Sequence, residues 1–222
     1  MSPDGHHDIE RCFAELRTMS STFAKPMVDA MVETGRDPFK VLVATLLSLR
    51  TKDEVTEAAS RRLFARADTP VAMIELSAQD VAALIRPVGF HRTKAGTVLR
   101  VCRELIDRFG GSVPDDEEAL LSMKGVGRKT ANLVLSAAFE RDAICVDTHV
   151  HRITNRWGYV TTKTADHTEM ALRQRLPRHL WRQINGLLVA FGQNLCTPIS
   201  PWCSQCSLRS WWCEGRGVTT RR

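Results

Sequence analysis

The fold is decided by one stretch of the chain, Met123-Lys124-Gly125-Val126-Gly127-Arg128-Lys129-Thr130-Ala131-Asn132. Two glycines separated by one apolar residue allow the backbone to turn tightly and expose its N–H groups, and the apolar run that begins at Ala131 can start a helix. A helix N-terminus carries unpaired N–H donors and about half a positive charge, so an anion such as phosphate is favoured there. The stretch therefore predicts a hairpin that holds a phosphate.

Lys129 falls in the first turn of that helix. The positive field there disfavours an ammonium and makes the neutral, nucleophilic amine more available. Two other phosphate-binding motifs do not fit: a dinucleotide-binding turn follows a strand, whereas residues 116–123 are predicted to be a short helix, and the spacing of a P-loop is absent. A helix-hairpin-helix that only binds DNA would have the same turn, so the turn leaves that alternative open.

Asp147 lies eighteen residues after Lys129, in Val146-Asp147-Thr148-His149. An aspartate directly before Thr148 is a natural N-cap for the helix that follows, and this structural role alone would account for it.

A second concentrated pattern lies in the last 27 residues, which contain Cys196, Cys203, Cys206 and Cys213 with six, two and six residues between them. The other three cysteines, Cys12, Cys102 and Cys145, are scattered singly and are predicted to be small core residues. Four clustered thiols indicate a metal. Zinc and an iron–sulfur cluster both take four thiolates, although zinc ribbons favour two C-x₂-C pairs and this segment has one.

Bulk composition limits the class of protein. The chain has 222 residues, 43% of them hydrophobic, which is enough for one or two globular domains with a real core. A net charge of +6 favours a polyanionic partner. The sequence has no apolar run of about 18 residues, and acidic residues near its start are unlike a signal peptide, so we expect an intracellular protein. An odd number of cysteines argues against a disulfide scaffold.

Helical periodicity dominates the sequence, and we predict an all-α fold. Apolar residues recur at helical spacing in three segments, 39–47, 98–106 and 184–195, and residues 131–139 are apolar nearly all round, as in an enclosed central helix. Asp37-Pro38 and Thr69-Pro70 mark helix starts, and Ser77 with Asp80 resembles a capping box. Only residues 143–146 hint at a strand.

Together, residues 125–139, the Val-Asp-Thr-His at 146–149 and the four C-terminal cysteines resemble the endonuclease III family of DNA glycosylases with an associated lyase, and the resemblance covers nearly the whole chain. It implies a base-excision-repair enzyme that removes oxidised or ring-saturated pyrimidines from duplex DNA and cleaves the abasic site by β-elimination through a lysine Schiff base. By this resemblance, Lys129 is the residue that attacks the anomeric carbon of the sugar. Asp147 supports the reaction electrostatically and in proton transfer.

The resemblance also implies the architecture. Residues 28–141 should form a six-helix bundle with the helix-hairpin-helix, and residues 1–27 and 142–222 a second helical domain. Cys196, Cys203, Cys206 and Cys213 should hold a 4Fe-4S cluster, with Trp202, Trp211 and Trp212 as its apolar cover. Damaged double-stranded DNA should lie in the groove between the domains. The protein should be a monomer, cytoplasmic and nucleoid-associated if prokaryotic.

Two loops, residues 46–53 and 89–95, resemble those that fill the duplex after a nucleotide is extruded. Arg50 stands where glutamine is common, eleven residues after Phe39 and so on the packed face of the preceding helix, and is expected to favour an orphan guanine. Phe90 occupies the position of an apolar wedge. Without the resemblance, Arg50 would be a helix-end cation and Phe90 a core aromatic. The expected DNA contacts are Arg50, Phe90, His91, Arg92, Lys94, Lys124, Gly125, Val126, Gly127 and Arg128.

The sequence departs from the family pattern in the cysteine loop. The segment between Cys196 and Cys203 has no Lys or Arg, where many members have several, and the last cysteine spacing is one residue longer than usual. We therefore expect the hairpin, with Lys124 where proline is common, to carry more of the phosphate contact.

Two alternative functions remain. A monofunctional adenine glycosylase of the mismatch-repair branch would share the hairpin, aspartate and cysteines, but it usually lacks the hairpin lysine and carries an extra C-terminal domain, so Lys129 and the end at Arg222 argue against it. The other is a non-catalytic DNA-binding protein. Borohydride reduction on damaged DNA separates all three, because only a Schiff-base enzyme cross-links.

Overall fold

The computed structural model describes residues 5–222, and within them the protein is all-α, as predicted. The first four residues of the predicted domain 1–27 lie outside the described residues. No strand occurs in the described chain: residues 143–146, which hinted at one, are buried without regular secondary structure. No helix of residues 5–222 is long and apolar enough to cross a membrane.

The chain divides into two units, each described separately. The middle unit is Met27–Arg141, and the end unit combines the described part of Met1–Pro26 with Asp142–Arg222. The middle unit has eight helices: α2 (Met27–Thr34), α3 (Pro38–Ser48), α4 (Asp53–Arg66), α5 (Pro70–Ile74), α6 (Ala78–Leu84), α7 (His91–Phe109), α8 (Glu117–Ser122) and α9 (Arg128–Ala137). Six of them have seven or more residues, since α5 has 5 and α8 has 6.

Two mostly buried helices, α3 and α9, pack against each other in the middle unit. Residues 39 and 41–47 of α3 and residues 130–136 of α9 are buried. This confirms the prediction of an enclosed helix after the hairpin. The packing of these helices also fixes the C-terminus of α3, which precedes Arg50, and the N-terminus of α9, which carries Lys129.

The predicted helix starts of the middle unit are confirmed. Asp37 caps α3 by accepting from the N–H groups of Phe39 at 2.9 Å and Lys40 at 3.2 Å. Thr69 caps α5, and Ser77 with Asp80 forms a capping box on α6. The hydrogen bonds from Ser77 lower the pKa of the Asp80 carboxyl.

The end unit brings the first helix of the chain together with its last 81 residues. Its helices are α1 (Gly5–Ser20), α10 (Thr148–Trp157), α11 (Ala165–Arg175) and α12 (Ile184–Asn194), with 3₁₀ turns at Arg178–Leu180, Cys203–Gln205 and Ser207–Arg209. The buried face of α1 packs with residues of α10, α11 and α12 in one core. Cys12 and Cys145 are buried here and Cys102 in α7, as predicted for small core residues.

The cap of α3 generates a stability prediction. Asp37→Ala leaves the N–H groups of Phe39 and Lys40 unpaired and should cost about 1 kcal/mol, or roughly 2–4 °C in melting temperature for a chain of this size. Asp68→Ala is the matched control, since Asp68 pairs with Lys40 as Asp37 does, yet it is not the N-cap of a helix. Melting followed by circular dichroism should shift for the first variant only. An equal shift for both would assign the effect to the ion pairs.

Candidate functional site

The hairpin turn between α8 and α9 depends on Gly125. Its φ of 108° is disfavoured for L side chains, and a Cβ at this position would lie 2.6 Å from Cγ2 of Thr97 on α7. Gly127 differs, because its φ of −98° is ordinary and an added Cβ would meet nothing within 4 Å. The first glycine is therefore required by the fold, and the second leaves open space at the N-terminus of α9.

The groups around this turn divide into exposed and anchoring residues. Lys124, Gly125 and Gly127 are exposed, which suits them to contact phosphate. Val126 is buried, and its N–H already donates to the Met123 carbonyl at 3.1 Å. The predicted DNA contact at Val126 is therefore corrected to a structural role, that of holding the hairpin on its unit.

Two carboxylates lie against the hairpin. Glu104 of α7 accepts from the Lys124 N–H at 3.2 Å, and Glu117 of α8 lies 3.7 Å from the Arg128 guanidinium. Lys129 is half-buried in the first turn of α9, whose N-cap, Gly127, supplies no side-chain hydrogen bond. The N-cap residue of α9 therefore contributes no side-chain oxygen to the first N–H groups of the helix, whose positive end favours an anion.

Asp147 is the N-cap of α10, as its position predicted. Its Oδ1 accepts from the N–H groups of His149 at 2.8 Å and Val150 at 2.9 Å. Its Oδ2 accepts no hydrogen bond from residues 9–222, the part of the chain whose side chains are described. The cap therefore orients the half-buried carboxylate while using one of its two oxygens.

Arg50 and Phe90 both stand in the left-handed region, with φ of 56° and 57°. Because α3 ends at Ser48, Arg50 does not extend its packed face, and that part of the sequence argument is wrong. Phe90 is 64% exposed, which excludes a core aromatic. His91 is half-buried and Arg92 exposed, and both stay predicted DNA contacts beside Phe90.

Lys94 requires a correction. It is only 9% exposed, and its ammonium donates to the carbonyls of Leu47 at 2.7 Å and Leu49 at 2.6 Å and to the Thr51 hydroxyl at 3.1 Å. All three N–H bonds of the ammonium thus have acceptors within its own unit. The predicted DNA contact at Lys94 is wrong, because the side chain is committed to the loop that follows α3.

The four C-terminal cysteines line a single cavity in the end unit. Phe191, Leu195, Pro201, Trp202 and Val218 supply much of its apolar wall. Burial raises the pKa of the Cys206 thiol to about 11 and that of the Cys196 and Cys213 thiols as well. Among residues 9–222, whose side chains the structure describes, no three His, Cys, Asp or Glu side chains are grouped to hold one metal ion.

Of the three predicted covering tryptophans, Trp202 lines the cavity. Trp212 packs instead on Trp157 and Tyr159, with ring centroids 6.1 and 5.7 Å apart, and Trp211 lies under the Arg11 guanidinium at 4.0 Å. These two rings belong to the core of the end unit.

Sequence reasoning missed Arg156, which is buried on α10 beside the cysteine cavity. Its guanidinium donates to Sγ of Cys196 at 3.2 Å and to the carbonyls of Thr197 and Pro198. The sequence did contain one signal for this role: Arg156 lies four residues after Arg152, whose guanidinium donates to the Cys196 carbonyl at 2.8 Å. That spacing is equally typical of a solvated helix face.

Arg222 was missed as well. Its N–H donates to the Pro201 carbonyl at 2.8 Å, and its own carbonyl accepts from Ser204 at 3.0 Å. Its guanidinium lies 4.3 Å from the Trp202 ring centroid. The last residue of the sequence thus brings a cation to the cysteine loop that has none between Cys196 and Cys203.

Known proteins resemble this chain in both sequence and structure. The HhH-GPD family, described as the HhH-GPD superfamily base excision DNA repair protein, matches residues 43–178. Endonuclease III of Thermotoga maritima is 48% identical over 174 residues, which are 78% of this chain and 82% of that protein. A non-covalent endonuclease III–DNA complex matches with a TM-score of 0.84 and 33% identity over 95% of each chain. A trapped endonuclease III–DNA covalent intermediate matches with a TM-score of 0.82 and 33% identity over 91% of this chain and 93% of the other.

Proposed function

Because the chain belongs to the HhH-GPD superfamily and is a base-excision DNA glycosylase and AP lyase of the endonuclease III type, we propose that it removes oxidised or ring-saturated pyrimidines from duplex DNA through a Schiff base on Lys129. The observation that carries this proposal is the position of Lys129, in the first turn of a helix whose N-cap residue is a glycine, directly after a hairpin with exposed residues. An amine at that point is brought to a sugar when the hairpin binds the neighbouring phosphate.

In the proposed reaction the neutral amine of Lys129 attacks C1′, and the damaged base leaves with the electrons of the glycosidic bond. Release of the ring oxygen from C1′ then gives a protonated Schiff base. Loss of a C2′ proton breaks the C3′–oxygen bond and expels the 3′ phosphate, and water finally frees Lys129. The Schiff base is required because it makes the C2′ proton acidic.

We propose that Asp147 acts on the same sugar. The two N–H groups that bind Oδ1 hold the carboxylate in one orientation, and Oδ2 can accept the proton that the Lys129 nitrogen loses once its neutral amine has bonded to C1′. A fixed negative charge also stabilises the positive, sugar-like transition state when the base departs. The capping geometry and the catalytic role are therefore compatible, because they use different oxygens.

Exposed groups of the middle unit are proposed to bind the DNA. Lys124 and the backbone of Gly125 and Gly127 would contact phosphate, while Arg50 and Phe90 would fill the space left by the extruded nucleotide. The exposure of both side chains on neighbouring loops supports this division of roles. We further propose that the protein acts as a monomer, which light scattering can test.

We propose that Cys196, Cys203, Cys206 and Cys213 hold a 4Fe-4S cluster. What supports the fit is that all four thiols line one cavity, as four ligands of one group must. The segment has one C-x₂-C pair, whereas zinc ribbons favour two. When bound, the cluster would join four points of the C-terminal segment and so stabilise its fold. The buried guanidinium of Arg156 would donate to one of the ligating sulfurs.

The nucleophile can be tested by trapping. Lys129→Gln should abolish borohydride cross-linking to damaged DNA and strand cleavage, because the amide side chain cannot form a Schiff base. Lys124→Gln is the matched control on the same hairpin. It loses the same charge, and it should still cross-link when DNA is saturating. Trapping retained in Lys129→Gln would place the nucleophile elsewhere, and the absence of trapping in the unaltered protein would favour a non-catalytic or monofunctional protein.

The role of Asp147 can be separated from its cap. Asp147→Asn keeps an oxygen that accepts from His149 and Val150 but removes the charge, so turnover should fall roughly 100-fold or more with an unchanged melting temperature. Asp147→Ala should also destabilise the protein, by about 1 kcal/mol. Asp116→Asn, at the N-cap of α8, is the control and should leave turnover unchanged. Normal single-turnover rates in Asp147→Asn would leave Asp147 as a cap only.

Metal analysis tests the cluster. Protein purified without oxygen should be yellow-brown and contain roughly four irons per chain. Cys203→Ser and Cys206→Ser should lose iron and fold poorly, whereas Cys102→Ala, which removes a buried thiol of the middle unit, should keep the full iron content. One zinc per chain without visible absorbance would overturn the assignment.

A further inference from the structure

Lys94 contributes a buried ammonium that the proposed chemistry does not use. It lies in the first turn of α7, and each of its three hydrogen bonds ends on the segment 47–51 at and beyond the C-terminus of α3. Carbonyls at a helix C-terminus have no intrahelical partner and carry the negative end of the helix dipole. Lys94 thus supplies the cap that α3 lacks, from a helix more than forty residues later in the chain.

Lys94 joins the two loops that carry Arg50 and Phe90, the first through its ammonium and the second through its backbone. Arg50 lies between Leu49 and Thr51, and Lys94 donates to both of them. Phe90 is the N-cap residue of α7, and its carbonyl accepts from the Lys94 N–H at 2.9 Å. Lys94 is therefore hydrogen-bonded within one residue of Arg50 through its side chain and to Phe90 through its backbone.

A direct contact between the loops completes the cross-link. The Gly89 N–H donates to the Thr51 hydroxyl at 3.3 Å, and a Cβ on Gly89 would lie 3.2 Å from the Arg50 carbonyl oxygen. Thr51 therefore serves both Lys94 and Gly89. The close approach of the two backbones leaves little freedom for either loop to move alone.

Both projecting residues adopt an unfavourable backbone conformation. A positive φ is disfavoured for an arginine and for an aromatic residue, and it persists only where surrounding contacts impose it. Here the contacts are made by the neighbouring backbone and by Lys94, while the side chains of Arg50 and Phe90 remain exposed. The loops are thus held rigidly by their main chains and present two free side chains.

We propose that Lys94 is a positioning residue for DNA recognition: its ammonium holds Arg50 and Phe90 in the orientation that enters a damaged duplex, so discrimination of the opposite base depends on a residue that does not touch DNA. The inference rests on the proposed function, because it requires a duplex opened by nucleotide extrusion. A lysine suits the position because all three acceptors surround one nitrogen. The ammonium nitrogen carries three N–H bonds, whereas each guanidinium nitrogen carries at most two and a thioether carries none. Burial lowers the pKa of Lys94 to about 8, so the ammonium form still predominates at pH 7.

The test compares two variants on the same helix. Lys94→Met keeps the length of the side chain and removes all three donors, whereas Arg103→Met removes one exposed positive charge of α7 and none of these contacts. Single-turnover excision of one lesion is measured opposite each of the four bases at fixed salt, because phosphate contacts make affinity salt-dependent. Each rate is divided by the mean of its own variant, so a general loss of activity cancels.

A second readout reports insertion of the side chains into the duplex. 2-Aminopurine placed next to a stable abasic-site analogue becomes brighter when it is unstacked. The unaltered protein and Arg103→Met should give the same increase in fluorescence. Lys94→Met should give a smaller increase in fluorescence. In the excision assay, the ratio between its fastest and slowest normalised rates should narrow by roughly fivefold or more. That factor is the low end of what a bidentate arginine–guanine contact contributes.

Thr51→Val keeps the inference testable if Lys94→Met does not fold. It removes the hydroxyl shared by Lys94 and Gly89 while leaving the ammonium on its two carbonyls, so both readouts should change in the same direction by a smaller factor. Normalised rates and fluorescence equal to those of the unaltered protein in a folded Lys94→Met, or in Thr51→Val if Lys94→Met is unfolded, would overturn the proposal. Failure of the unaltered protein to form a borohydride cross-link would instead refute the proposed function, and this inference with it.

Discussion

The backbone groups at helix ends, which have no partner inside the helix, are the constraint on which the rest of this structure depends. Each α-helix leaves several N–H groups at its start and several carbonyls at its end that must be paired elsewhere. In this protein three such ends carry the residues of interest: the start of α9, the start of α10 and the end of α3. The way each end is paired determines what the adjacent side chain can do.

The three ends are paired in different ways. The start of α9 has a glycine as its cap residue and no capping side chain, so an anionic ligand can complete it. The start of α10 is completed by one oxygen of Asp147, which leaves the other oxygen available. The end of α3 is completed by the buried ammonium of Lys94. An open end is suited to binding, a half-used carboxylate to proton transfer, and a fully satisfied ammonium to holding a loop in place.

Features that depend on neighbours in the sequence could be predicted. The caps at Asp37, Thr69 and Ser77, and the tight turn at Gly125, follow from residues at most a few positions apart. Features that depend on distant partners could not. Lys94 looks like a DNA-contacting cation in its loop, because its acceptors lie 43 to 47 residues away. The end of α3 at Ser48, which moves Arg50 off the helix, has no local signal of the strength of a Pro or Gly.

The cysteine loop also depends on residues that are distant in the sequence. Its departure from the family pattern therefore has a different meaning once the fold is known. The absence of Lys and Arg between Cys196 and Cys203 indicates a neutral loop when only local sequence is considered. In the fold, Arg156 reaches the first part of this loop from α10, and the backbone of Arg222 pairs with Pro201 and Ser204 while its guanidinium covers Trp202. Because the field of a surface depends on where charges lie in space, two arginines from other segments add positive charge beside a loop that has none of its own. The charge of a loop therefore has to be counted over everything packed against it.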